Sequence, residues 1–314
     1  MHTCEVPGDT LDDWLTSYPT IEGNYGHLLL EQSGESDDGL VEAFKPYFES
    51  AHMDAREHFH EQIGIELHPD AGDPGAHAEY PSCLPTTAKR GLFGEVMAGM
   101  LTEHYEFVGG HDWTVPIFLF RHHEDVERYL FALARDPARA RTVFGRFGTD
   151  FLAIALDEDG QVVRYLAGEA KWRKSLTQAA VETLLLGKKT EDDDGNEVRS
   201  GGIWDQLNVD SKIPHGLRQL QRLLMERDPD GWSAAILSLD RALLVASGET
   251  MPRTNVVFIC GNGPDDREKG VPFIDWKERP AEYTATHDLQ VVELILSKGE
   301  DLIEEIYGCL WNGD

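Results

Sequence analysis

Residues 149–171 read Thr-Asp-Phe-Leu-Ala-Ile-Ala-Leu-Asp-Glu-Asp-Gly-Gln-Val-Val-Arg-Tyr-Leu-Ala-Gly-Glu-Ala-Lys. Phe151 to Leu156 is a mostly apolar run. Asp157-Glu158-Asp159-Gly160 is a polar turn, and Gln161 to Lys171 is a second run of strand composition. Two such runs joined by an Asp/Gly turn predict a β-hairpin. Asp150 opens the first strand, and Glu169 and Lys171 lie near the end of the second. Strand residues two apart share a face, so Glu169 and Lys171 project together while Ala170 points away. If Leu156 faces Gln161 across the turn, Asp150 falls opposite Ala167, within one or two positions of Glu169. The hairpin is therefore expected to gather two carboxylates and an ammonium at one end.

Outward from the hairpin, apolar rows at Leu92, Val96, Met100 and at Phe93, Met97, Leu101 predict a helix from about Ala88 to Tyr105. Glu95 lies on it, with Gly91 and Gly99 four residues to either side and Ala98 three residues on. That face has little side-chain bulk, so it is expected to approach the hairpin end closely. Val115–Phe120 resembles a strand, His123–Ala134 and Lys174–Leu186 helices, and 188–202 a polar loop. Leu217–Glu226 reads as a helix and Asn255–Cys260 as an apolar strand. Leu289–Trp311 reads as one or two helices broken near Gly299. Upstream, residues 1–40 look irregular. Leu40–Ile63 reads as an amphipathic helix that starts or kinks at Pro46, and the proline-rich stretch 68–86 reads as a linker. This divides the chain into an acidic N-terminal helical region (1–85), an α/β core (86–260) and a C-terminal helical region (261–314).

The 314 residues include 28 basic and 57 acidic side chains, a formal charge of −29. Such a charge argues at first against a nucleic-acid binder, because polyanions repel. Its distribution narrows that argument: residues 1–85 carry −16, residues 86–190 are neutral, and residues 191–314 carry −13. The segment with the hairpin is neutral between acidic flanks. These flanks read as solubilising surface, or as a shield for the middle or a dock for a basic partner. No apolar run is long enough for a membrane span, and Met1-His2-Thr3-Cys4-Glu5 lacks the start of a signal peptide. Cys4, Cys83, Cys260 and Cys309 form no C-x-x-C pair. A cytoplasmic protein with no membrane partner is expected.

Two carboxylates and an ammonium are costly to bury unpaired. They make sense around a hard cation. Mg²⁺ takes oxygen ligands, usually one or two carboxylates with waters and phosphate oxygens. A bound divalent ion acidifies a water and stabilises charge on a phosphoryl oxygen. A lysine beside it can position or deprotonate that water, or offset transition-state charge. Glu95 fits as an additional ligand or water-holder; the alternative is a solvated glutamate on a helix whose glycines serve packing.

Asp150, then 18 residues, then Glu169-Ala170-Lys171 resembles the D-x(n)-E-x-K core of the PD-(D/E)XK nuclease superfamily. Glu95 falls on a helix where that superfamily's extra acidic residue would lie. The order helix, strand with Asp, strand with E-x-K, helix resembles its αβββα core, with Val115–Phe120 as a possible further element. Thr149 stands where the superfamily's name puts proline. Within the superfamily, Gly94-Glu95, Gly148-Thr149-Asp150 and Leu166-Ala167-Gly168-Glu169-Ala170-Lys171 look most like the HamA-type nuclease subunit of Hachiman antiphage systems of bacteria and archaea. The resemblance covers roughly residues 88–186.

It implies an α/β, restriction-endonuclease-like mixed sheet flanked by helices, with acidic N- and C-terminal extensions. It also implies Mg²⁺-dependent (or Mn²⁺-dependent) hydrolysis of DNA phosphodiesters. Asp150, Glu169, the Ala170 carbonyl and Glu95 would hold metal, and Lys171 would assist the water. Arg173 and Lys174 would meet phosphates, with solvated charges at a helix start as the alternative. A helicase subunit (HamB-like) would deliver DNA and restrain cleavage. The competing readings are a catalytically silent nuclease-fold subunit that regulates a partner, and an unrelated acidic α/β enzyme in which Glu169 and Lys171 are a surface pair. His52, His58 and His60 share no single helical face, and Gly261-Asn262-Gly263 lacks a phosphate-loop lysine and reads as a turn.

Overall fold

A computed structural model describes residues 1–63, 80–81, 84–120, 149–191, 196–209, 215–244 and 251–311. It shows an α/β protein with a seven-stranded, curled mixed sheet flanked by helices. In chain order the described elements are α1 (Gly8–Trp14), β1 (Leu15–Glu22), β2 (Tyr25–Gln32), α2 (Asp38–Ile63), α3 (Thr86–His104), β3 (Trp113–Thr114), β4 (Phe151–Leu156) and β5 (Val162–Arg173). There follow α4 (Gln178–Leu186), β6 (Lys188–Glu191), β7 (Glu197–Ser200), α5 (Ile203–Leu207), α6 (His215–Arg227), α7 (Ser233–Leu244), β8 (Arg253–Asn262), β9 (Asp288–Leu296) and α8 (Gly299–Cys309).

The sheet order is β1-β2-β9-β8-β5-β4-β3. The central strands β2, β9, β8 and β5 run parallel, and antiparallel pairs close each side: β1 on β2, and β4 on β5 with β3 beyond. Strands from all three segments named above lie in this one sheet.

The expected helix at 88–105 and the strands at 151–156 and 161–171 appear within a few residues. So do the strand at 255–260 and the helix at 217–226. Residues 174–177 precede the helix expected from Lys174; Thr177 caps α4 by accepting the Ala180 N–H, at 3.2 Å. The helix expected at His123–Ala134 lies outside the described residues, as does most of the 68–86 stretch. Helix α2 runs through Pro46 rather than starting there.

Four expectations need correction. Residues 15–32, read as irregular, form the hairpin β1–β2; β2 is buried along nearly all its length. Residues 289–296, read as helical, are strand β9. A strand covered on both faces loses the alternation that marks an exposed one, so Leu-Gln-Val-Val-Glu-Leu-Ile-Leu is ambiguous by pattern alone. In 188–202 the chain makes a small exposed hairpin, β6–β7, at whose base Gly187 and Gly202 lie in backbone contact. At 115–120 the ladder stops after Thr114, although Val115, Ile117, Phe118, Leu119 and Phe120 are buried.

Each face of the sheet carries its own core. Helices α2, α3 and α8 pack over Leu166, Ala170, Trp172, Phe151 and Ala153. On the other face, α6 and α7 cover Leu152, Ile154, Tyr165 and Ala167, while α4 and α5 cover Val257, Ile259 and Val291. The long segment joining β8 to β9 is held by buried carboxylates. Glu293 accepts the Phe273 and Ile274 N–H groups at 2.9 and 3.0 Å and meets His27 at 2.9 Å. Glu31 accepts the Gly270 N–H and pairs with Arg267.

Candidate active site

The site is set by the register of the β4–β5 hairpin. Asp157 Oδ1 accepts the N–H groups of Asp159 and Gln161, at 3.0 and 2.8 Å, and Gly160 takes φ +75°, which glycine adopts without strain. The Asp157 N–H donates to the Gln161 carbonyl, so the turn pairs Asp157, not Leu156, with Gln161. A bulge follows: Leu156 pairs with Val162 and Ala155 with Arg164, and Val163 is skipped. The Val162 N–H donates instead to Ser238 Oγ on α7, at 2.9 Å. Each slip moves the register by one residue. Together they place Phe151 opposite Gly168 and bring Asp150 level with Glu169.

Asp150, Glu169 and Lys171 converge. Lys171 Nζ donates to Asp150 Oδ2 at 2.6 Å and to Glu169 Oε2 at 2.8 Å. Asp150 Oδ2 also accepts the Ala170 N–H at 2.9 Å. Both acids are buried, 8% and 5% exposed, while the Lys171 side chain is 29% exposed and forms the solvent side of the group. Gly168, two residues back, offers its carbonyl to the Asp150 N–H, so strand alternation turns the Ala170 carbonyl toward the same side, where β4 has ended.

Burial, and then the adjacent Asp150 charge, push the Glu169 carboxyl up to about 8, outweighing the opposing pull of Lys171. Burial draws Lys171 down, but Asp150 and Glu169 outweigh it and raise it, so the ammonium is retained. Glu169 therefore holds its proton to higher pH than a free glutamate does.

Glu95 is buried on α3, 4% exposed, but α3 packs on the sheet face of Ala170 and Trp172. Glu169 and Lys171 project from the other face. Among the described residues no group of three or more His, Cys, Asp or Glu is placed to hold a metal ion. The glycines expected to ease the helix onto the hairpin end act otherwise. A Cβ on Gly91 would meet nothing within 4 Å, and one on Gly99 would lie 2.6 Å from the Phe118 ring; Gly94 is the one beside β5, where a Cβ would lie 4.0 Å from Trp172 N. Arg173 is exposed, and Lys174 pairs with Glu300 of α8 at 2.7 Å. Gln178 ties α4 to the Phe273 carbonyl, a structural bond.

The sequence reading missed Gly168, although a glycine inside a strand signals a close approach. A Cβ there would lie 2.0 Å from Phe151 Cε1. It also missed Arg90 and Glu300, whose meeting across the fold leaves no local trace. His52, set aside as a ligand, is fully buried between the Tyr80 and Tyr307 hydroxyls, at 2.6 and 3.0 Å.

The donor set suits a hard cation: two carboxylates and a carbonyl on one side, the number of carboxylates Mg²⁺ usually takes. The lysine already occupies the position of a counter-charge between them. No family model matches the chain, and no curated protein matches it.

Proposed function

We propose that this chain is a metal-dependent DNA nuclease of restriction-endonuclease-like fold, acting as the nuclease subunit of a bacterial or archaeal antiphage complex with a helicase partner. One observation carries the reading: Asp150, Glu169 and Lys171, separated by 18 residues and a bulged hairpin, meet within hydrogen-bond distance at one strand end. Among the described residues the succession α3, β3, β4, β5, α4 also follows the αβββα order of the PD-(D/E)XK resemblance, with residues 121–148 lying between β3 and β4.

In this reading Mg²⁺ or Mn²⁺ is held by Asp150, Glu169 and the Ala170 carbonyl, with Glu95 outside the set. The ion supplies a more acidic water and charge stabilisation at phosphorus. Asp150 fixes the Ala170 backbone and so the aim of its carbonyl. Glu169 gives up its proton for the carboxylate to bind. Lys171, held as an ammonium, offsets negative charge on the phosphodiester and orients the water that attacks it. The HamA-type Hachiman resemblance supports the helicase partner, which would bring DNA to a chain of charge −29.

The test is cleavage of plasmid and oligonucleotide DNA with Mg²⁺ or Mn²⁺, with and without the helicase, by wild type, Glu169→Gln and Lys171→Ala. Metal-dependent cleavage lost in both variants, with unchanged melting profiles, supports the reading. Equal cleavage by all three overturns it.

A further inference from the structure

Two cations from separate elements converge on a single carboxylate where β5 ends. Arg90, in the first turns of α3, hydrogen-bonds Glu300, and Lys174, the residue after β5, reaches the other oxygen of Glu300 at 2.7 Å. Glu300 is in the first turn of α8. That helix start is pressed onto the strand end: a Cβ on Gly299 would lie 2.3 Å from Trp172 Cη2, and Gly299 N–H donates to Asn262 Oδ1 at 2.7 Å. Lys174 is 75% exposed, although it is ion-paired. Arg173, its chain neighbour, and Lys298, the residue before α8, are exposed as well.

We infer that Arg90 and Lys174 form a phosphodiester-binding subsite at the end of β5, on the α3/α8 face and so around the strand end from the Asp150–Glu169–Lys171 centre, and that Glu300 fills it with a carboxylate until nucleic acid displaces it. The inference rests on the nuclease reading and extends it to how the substrate strand is held. Lys174 is three residues beyond Lys171, at most about 10 Å of extended chain. Phosphates along one strand of a duplex recur about every 3.4 Å of helix axis, so a strand that leaves Lys171 over the end of β5 carries further phosphates within reach of Lys174. A guanidinium and an ammonium brought to one anionic point match phosphate oxygens as they match Glu300. In a chain of charge −29 such a paired cation group stands out, and its closure by Glu300 favours weak DNA binding by the isolated chain.

A purely structural role is the competing account, since an acid in a first helical turn complements the helix dipole. That role predicts only lower stability on removing Glu300. The discriminating measurement is fluorescence anisotropy of labelled duplex and single-stranded oligonucleotides in EDTA, across a salt series. Wild type, Glu300→Gln, Lys174→Gln and the double variant are compared, each checked by thermal melting. The expected result is about tenfold tighter binding by Glu300→Gln with a steeper salt slope, cancelled in the double variant. Unchanged or weaker binding by a folded Glu300→Gln overturns the inference, as does tighter binding that survives in the double variant. Because the assay contains no divalent ion, it is independent of cleavage. A chain that binds this way yet cleaves nothing upholds the subsite and overturns the nuclease reading instead.

Discussion

Phe151 lies directly over Gly168, in the same register that brings Asp150 level with Glu169. The ring occupies the space a side chain would need, with a Cβ on Gly168 only 2.0 Å from Phe151 Cε1. Gly168→Ala must displace the ring or part the strands. The expected cost is about 1–3 kcal/mol, seen as a lower denaturation midpoint, together with loss of cleavage. Phe151→Leu in the same chain should recover part of the stability; no recovery would mean that the ring is not the obstacle.

The Glu169 proton makes the site pH-dependent with a defined sign. In the unfolded chain a glutamate releases its proton near 4.5, whereas burial and Asp150 hold it in the folded protein up to about 8. Between those values the native state binds more protons, so stability falls as pH rises. Divalent binding must release that proton, so affinity rises with pH toward about 8. Glu169→Gln should flatten the stability slope between pH 5 and 8 in chemical denaturation. A slope equal to that of wild type would show that another group holds the proton.

The position of Glu95 on the opposite face separates it from the proposed ion-holding set. Calorimetric titration with Mn²⁺ should show near wild-type affinity for Glu95→Gln and lost binding for Glu169→Gln. Equal losses in the two variants would place Glu95 in the ligand set.

Burial holds His52 neutral, with its pKa lowered from 6.5 to about 3. The unfolded state binds a proton over that interval and the native state does not. Stability is therefore complete above about 6.5 and is lost as pH falls toward 3, by about 1.4 kcal/mol per unit. Replacing His52 with Gln should remove this slope whatever its effect at neutral pH. Denaturation midpoints at pH 4, 5 and 7 measure it.

The hairpin, its turn residues and the pairing of Glu169 with Lys171 were legible because period-two spacing and Asp/Gly turn chemistry act locally. The register was not: counting from Leu156 and Gln161 put Asp150 opposite Ala167, two residues short. The missing steps are the wider turn closed by Asp157 and the bulge at Val163. The bulge depends on Ser238, 76 positions away in the chain. Strand β9 was misread because burial on both faces erased its alternation. Glu95 looked like a site residue because its helix does pack on β5; the chain pattern could not show which face of the sheet that helix covers.

The order β1-β2-β9-β8-β5-β4-β3 has a consequence for how a charged ligand meets this molecule. The hairpin from the acidic N-terminal segment is hydrogen-bonded into one side of the sheet, and the hairpin with Asp150 and Glu169 into the other. The neutral and the acidic segments of the sequence are thus bonded into one sheet, and neither can be drawn away without breaking strand ladders. A polyanion therefore meets the acidic segments wherever it meets the neutral one.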